Sequence, residues 1–290
     1  MLGRMSTCRV YFVMARDATI AGVFRRGPNE WTQVLRWDFG AGVLEAGAWF
    51  RGNMYPRRCT LSPDGDLLHY NALKPRPLGD WSTFRAVSRL PWVTALAAWR
   101  TYGTYTAPLA VRTNGSGEKS EPPFHGDCPD KVRFDVRILP DHYRLTGRED
   151  RWERVTDPSH YLEGISTRNI AWTAKTLVLV SSSADGHKLV LVYRGHHFDD
   201  GAASPAIEGA VVDYFLESPD GALVPLDAMV ANWDAHGRLL MADRKGLLRI
   251  HLVERGQLES KWEADLNRFT PNERGPAPEW AKSWKTRRPK

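Results

Sequence analysis

Cysteine is scarce in this chain. Three residues, Cys8, Cys59 and Cys128, are scattered over 290 positions. The number is odd and no C-x-x-C pair occurs, which excludes a disulfide framework and a zinc knuckle. A reducing compartment fits this usage. Long apolar runs are also missing. The run Val10 to Ala15 lies between Arg9 and Arg16 and is shorter than the apolar stretch of a signal peptide. No window reaches the length of a membrane span. The chain is therefore expected to be soluble and cytoplasmic.

Signatures of chemistry are missing as well. There is no G-x-S-x-G elbow, so an ordinary α/β-hydrolase nucleophile is absent. There is no H-E-x-x-H zinc pair. Asn114-Gly115-Ser116-Gly117-Glu118-Lys119-Ser120 looks like a phosphate loop, but Glu118 stands where glycine must precede the lysine. That stretch reads as a flexible loop. His125 lies three residues before Cys128, yet Gly126 and Pro129 make the segment an irregular turn rather than a catalytic pair. Carboxylates are scattered, with no spacing that predicts a shared face. No repeat of fixed length aligns, which rules out a WD-repeat or Kelch array.

What the chain does have is turns. Ser62-Pro63-Asp64-Gly65, Ser183-Ala184-Asp185-Gly186 and Ser218-Pro219-Asp220-Gly221 are versions of one tetrad, and Asp234-Ala235-His236-Gly237 is a looser fourth. Proline presets φ, aspartate bonds nearby backbone, and glycine supplies φ > 0. Each tetrad precedes a strand-like run: Asp66 to Asn71, His187 to Tyr193, Ala222 to Leu226, and Arg238 to Ala242. Turn signals recur about every ten residues, the rhythm of sandwiches, barrels and propellers. Val93 to Trp99 and Ile207 to Leu216 are readable as helix or strand, and the first is assigned as strand. The first strand after Ser62 is expected to stop at Lys74-Pro75-Arg76-Pro77.

About 20 strand candidates at four per blade give an all-β, β-propeller-like fold of about five blades, or six. The expected organisation is one domain over 1–270 and a Pro- and Trp-containing basic tail over 271–290. In that tail a short helical turn would put Trp280 and Trp284 on one face. Two sandwiches split near residue 120 are the structural alternative. Apolar residues make up 42%, and tryptophan numbers 12. Such usage suits sheet packing. Net charge is +6 and the pI about 9.3, a modest excess rather than a nucleic-acid signature.

Several segments resemble a bacterial family of β-propeller-like proteins. They are Arg25-Arg26-Gly27-Pro28 with Trp31 and Trp37-Asp38, Cys59-Thr60-Leu61-Ser62-Pro63-Asp64-Gly65, and Ser88-Arg89-Leu90-Pro91-Trp92-Val93-Thr94-Ala95-Leu96-Ala97-Ala98-Trp99. Trp233-Asp234-Ala235-His236-Gly237-Arg238 and Ala277-Pro278-Glu279-Trp280-Ala281 add to it. The chain departs from the pattern at Leu90, where a second proline is expected, and after Trp99, where a glycine-rich run is typical. The resemblance implies a propeller-like fold; it brings no activity and no catalytic residue.

Propellers display loops at the ends of a rigid disc. The leading expectation is a non-enzymatic module that binds another protein, without cofactor, through Arg25, Arg26, Arg89, Trp92 and Tyr102. These residues sit in or beside turns, and arginine and tryptophan are enriched at protein interfaces. The ordinary reading keeps most tryptophans in the blade cores and the arginines, Arg57 and Arg58 included, on a solvated rim. A second reading is a hydrolase or lyase at the propeller axis, assisted by a metal on His196, His197, Asp199 and Asp200. Adjacent side chains of an extended segment point to opposite faces, so a polar hairpin loop is the plainer reading of that cluster. A third reading is weak nucleic-acid binding. Acidic neighbours such as Glu30, Glu45 and Asp64 break up the basic stripe it needs.

Overall fold

Alternating apolar runs punctuated by turns give sheets of consecutive antiparallel strands. The computed structural model describes residues 8–27, 30–78, 81–101, 109–113, 134–138, 146–147, 151–162, 175–195, 211–271 and 276–284. Blade 1 comprises β1 (Arg9–Met14), β2 (Ile20–Arg26), β3 (Trp31–Asp38) and β4 (Val43–Arg51). In blade 2, β5 (Asn53–Met54) and β6 (Thr60–Leu61) flank a 3-10 turn at Pro56–Arg58 and both pair with β7 (Leu67–Leu78). The sheet continues through β8 (Trp81–Arg89) and β9 (Ala95–Arg100). A separate ribbon pairs β10 (Leu109–Thr113) with β11 (Phe134–Ile138).

Blade 3 runs through β12 (Glu153–Arg154), β13 (Lys175–Ser182), β14 (Lys188–Gly195), β15 (Val211–Glu217) and β16 (Leu223–Leu226). Blade 4 follows with β17 (Ala228–Trp233), β18 (Leu239–Asp243), β19 (Leu247–Glu254) and β20 (Gln257–Asp265). One α-helical turn, Ser159–Leu162, stands among the described residues. No helix there is long and apolar enough to cross a membrane.

The all-β, propeller-like reading holds, but the described sheets form four blades, not five or six. The expectation divided the strands evenly by four. Blades 2 and 3 use five strands each, and the β10–β11 ribbon stands apart. Both ambiguous segments contain strands, β9 and β15. The strand after Ser62 does not stop at the prolines. β7 continues to Leu78, with its pairing to β8 broken between Leu73 and Leu78. Prolines, which lack an N–H, fit where ladder bonds are interrupted.

The tetrads work as hairpin turns. The Ser62 N–H donates to Leu67 O at 2.9 Å, its Oγ donates to Asp64 at 2.5 Å, and the Gly65 N–H returns to Ser62 O at 2.9 Å. Gly65, Gly186, Gly221 and Gly237 have φ of 75, 88, 88 and 75°, a region in which a Cβ is strained. A fifth turn, Asp243 to Gly246, follows the same plan without serine: Asp243 Oδ1 accepts from the N–H groups of Lys245 and Leu247.

Period-two alternation divides blade 4 between two cores. Val230, Leu240, Ala242, Leu248 and Ile250 pack into the core of blades 1 and 2. Ala231, Trp233, Leu239 and Met241 pack against blade 3. Trp37, fully buried, stacks on Trp262 with centroids 5.3 Å apart and meets Phe12 and Phe39 edge-on. The first and last blades are therefore in contact, and a split into two sandwiches near residue 120 does not describe the packing.

His69 on β7 is fully buried, and that burial, with the Arg85 cation, lowers its pKa to about 3. An unfolded imidazole titrates near 6.5. The neutral folded form thus contributes stability above pH 6.5, and the contribution is lost as pH falls from 6.5 toward 3. Urea unfolding between pH 7 and pH 4 checks this. The chain is expected to lose up to about 1.4 kcal/mol per pH unit more than a His69→Gln variant; equal slopes would show that His69 takes up no proton on unfolding.

Candidate interaction surfaces

Two rims of the blades carry the residues of interest. The turn rim holds the Ser62 tetrad, which meets the β1–β2 connection through the Asp17 N–H donating to Pro63 O at 2.8 Å. The arginine rim lies at the other end of β2. Strands rise about 3.3 Å per residue, so the ends of β2 are roughly 20 Å apart.

On the arginine rim of blade 1, register forms two rows that strand alternation turns to opposite faces of the sheet. Arg9, Arg26 and Thr32 make up one row, and Trp31 with Arg51 and Gln33 with Trp49 the other. Trp31 and Trp49 meet edge-on at 6.4 Å. Both are half-buried, and Arg9 and Arg51 are exposed. Arg51 reaches Glu30 at 3.4 Å, and Arg26 reaches Asn53 Oδ1 at 3.4 Å.

Arg25 behaves differently from its neighbour. It is 4% exposed. Its Nε donates to Leu266 O at 2.8 Å, its other nitrogens to the carbonyls of Gly27 and Asn267, and its guanidinium lies 5.2 Å over Trp49. It joins blade 1 to the end of blade 4. Nearby, the Cys8 N–H donates to Asn267 Oδ1 at 2.9 Å. Burial raises the Cys8 thiol pKa above its usual value.

Arg89 and Trp92 belong to the turn rim. Arg89 pairs in register with Leu67, just beyond the Ser62 tetrad. It is 4% exposed, ion-pairs with Asp66, and donates to the carbonyls of Ser283 and Trp284 at 3.1 and 3.2 Å. Trp92 is half-buried, and its carbonyl accepts from Ser88 Oγ at 2.7 Å. Arg25 and Arg26 therefore lie at the opposite rim from Arg89 and Trp92. Tyr102, and the cluster His196, His197, Asp199 and Asp200, lie outside the described residues. Among the described residues, no group of three or more His, Cys, Asp or Glu could hold a metal ion.

The expectation of a solvated arginine rim is corrected at several positions. Arg25, Arg57, Arg58, Arg85 and Arg89 are all buried. Arg57 lies 5.7 Å over the Tyr11 ring and Arg58 5.3 Å over Tyr55. Asn71 ties this group together, donating to Arg58 O at 2.8 Å and accepting from Arg85 Nε at 3.1 Å. Burial pushes the Tyr214 pKa up to about 12, against the opposing pull of the Arg57 cation. Arginine tolerates such places because its planar fork stacks on aromatic rings while its N–H groups reach carbonyls. Arg57-Arg58 was visible in the sequence, but adjacency alone says nothing about burial.

Arg25 and Arg26 make a direct test of this division. Arg25→Ala removes the hydrogen bonds that link blade 1 to Leu266 and Asn267 and the stack on Trp49, and is expected to cost about 3 kcal/mol in urea unfolding. Arg26→Ala, half-exposed, is expected to cost less than about 1 kcal/mol. Equal costs would remove the distinction between a connecting and a displayed arginine.

No protein-family profile matches the sequence, and no curated protein matches it. Among solved structures, the WD40 domain of SCAP from fission yeast is similar at 10% identity, with a TM-score of 0.24 over 88% of this chain and 44% of that one. The chain thus spans less than half the length of that structure's chain.

Proposed function

We propose that this chain is a non-enzymatic scaffold that binds another protein through the arginine rim of blade 1, in a reducing, cytoplasmic setting. The observation that carries the reading is the face of blade 1 on which register sets Trp31, Trp49 and Arg51 side by side, with Arg9 and Arg26 at the same end of the sheet on its other face. Half-buried tryptophans flanked by displayed arginines have the composition of an interface centre. Their rotamers are already restricted by the Trp31–Trp49 and Arg25–Trp49 contacts, which lowers the ordering cost of association. The thiols of Cys8 and Cys59 are both buried, in keeping with a reducing compartment.

The test is affinity purification of tagged protein from its native host, read by mass spectrometry, with the unaltered chain and with Trp31→Ala/Arg26→Ala. A stoichiometric partner is expected with the unaltered chain. Its affinity for the double variant should fall by about thirtyfold or more, the effect of losing an interface centre of about 2 kcal/mol. A partner that binds both forms equally uses another surface. Recovery of the chain alone after crosslinking would overturn the scaffold reading.

A further inference from the structure

Residues 276–284 lie against blade 2, where they add no strand to any sheet. The sequence suggested a helical turn placing Trp280 and Trp284 on one face. That turn is present as a 3-10 turn over Glu279–Lys282, but it ends at an extended Ser283, with φ −131° and ψ 142°, before Trp284. Within that turn only Ala281 is buried, and the Lys282–Glu279 ion pair is on the surface. The firm attachment comes at the end of the segment. Arg89 holds the carbonyls of Ser283 and Trp284. The Trp284 indole N–H donates to Leu96 O at 3.1 Å, and its ring packs on Leu67, Val87, Leu96 and Ala97.

Among the described residues, the groups that hold Ser283 and Trp284, namely Arg89, Leu67, Val87, Leu96 and Ala97, come from blade 2. Val87 and Arg89, two residues apart on β8, face the same side, and Asp66 holds the Arg89 guanidinium from the neighbouring turn. The receiving geometry is thus built without the tail. What it reads is generic to extended peptides: two consecutive main-chain carbonyls and one indole. A buried guanidinium deprived of those acceptors is costly, so the crevice favours an occupant.

We propose that this crevice of blade 2 is a peptide-binding site for an extended, tryptophan-bearing segment of another protein, with residues 276–284 as its resident self-ligand. An incoming segment displaces the tail by offering the same indole and carbonyl pair. The site is separate from the arginine rim and does not rest on the function proposed for it. A tethered ligand acts at an effective concentration of the order of millimolar, so the resident tail sets a threshold that weak competitors do not pass.

The probe is a fluorescein-labelled peptide of residues 276–290, with a Trp284→Ala peptide as control, titrated into the full chain and into its Trp284→Ala variant. Anisotropy should show the first peptide binding the variant chain, and binding the unaltered chain at least about tenfold more weakly because the tail competes. Equal binding of the control peptide would reduce the interaction to its basic end and overturn the proposal. So would a folded variant chain that binds neither peptide. Because Trp284→Ala removes packing from Leu67 and Val87, a second measurement uses the unaltered chain. Hydrogen exchange at 276–284 should accelerate when unlabelled peptide is added to saturation, and unchanged exchange would overturn the proposal.

Discussion

The packing of blade 4 on blade 1 is the contact on which the rest of the structure depends. Separate meanders would each leave one apolar face to water. The aromatic group of Phe12, Trp37, Phe39 and Trp262 brings the first and last blades together and buries both. Trp262 also donates from Nε1 to Gly42 O at 2.8 Å, and Arg238 reaches Phe39 O at 3.2 Å. Apolar area and hydrogen bonds are thus satisfied at the same seam. Blade 3 then attaches to the remaining face of blade 4, where Trp233 Nε1 donates to Ser181 O and Trp152 Nε1 to Asn232.

Buried arginines are the second recurring device. Arg25 joins blade 1 to the segment after blade 4, and Arg89 joins blade 2 to the tail. Each satisfies main-chain carbonyls that no sheet ladder reaches. A lysine in either place offers three donors around a point charge and lacks the planar fork that reaches two carbonyls and a ring at once. Part of the basic excess of the sequence therefore belongs to the interior and adds nothing to the attraction of anionic partners.

The turns were legible because their chemistry is local. Serine, aspartate and glycine within four residues dictate a hairpin whatever surrounds it, and strands began where the tetrads said. Asp243 to Gly246 was missed because its centre is the charged pair Arg244-Lys245 rather than a turn-like residue, although its aspartate makes the same backbone bonds. Blade number was not legible, since it depends on whether short pieces such as β5, β6 and β12 join a neighbouring sheet, and nothing local decides that. The site was legible in residue type and not in grouping. Arg25 and Arg26 are adjacent in sequence, yet one is a buried connector and the other is displayed. Strand alternation predicts that they point to opposite faces, but which face is covered depends on the end of blade 4, more than 200 residues away.

The placement of the two surfaces constrains how they can be used together. The arginine rim lies on blade 1 and the crevice on blade 2, at opposite rims of two blades that share a packed interior. Occupancy at one therefore does not obstruct the other. Each is also built on sheet rather than on loop, so its geometry is fixed before any partner arrives. The difference lies in access. The arginine rim is open, with a composition suited to a folded surface. The crevice is filled by the chain's own segment and admits an extended peptide only in exchange for it. In the scaffold proposed above, the arginine rim holds a first partner by affinity and the crevice selects a second by competition, and residues 276–284 make that selection depend on tryptophan rather than on charge.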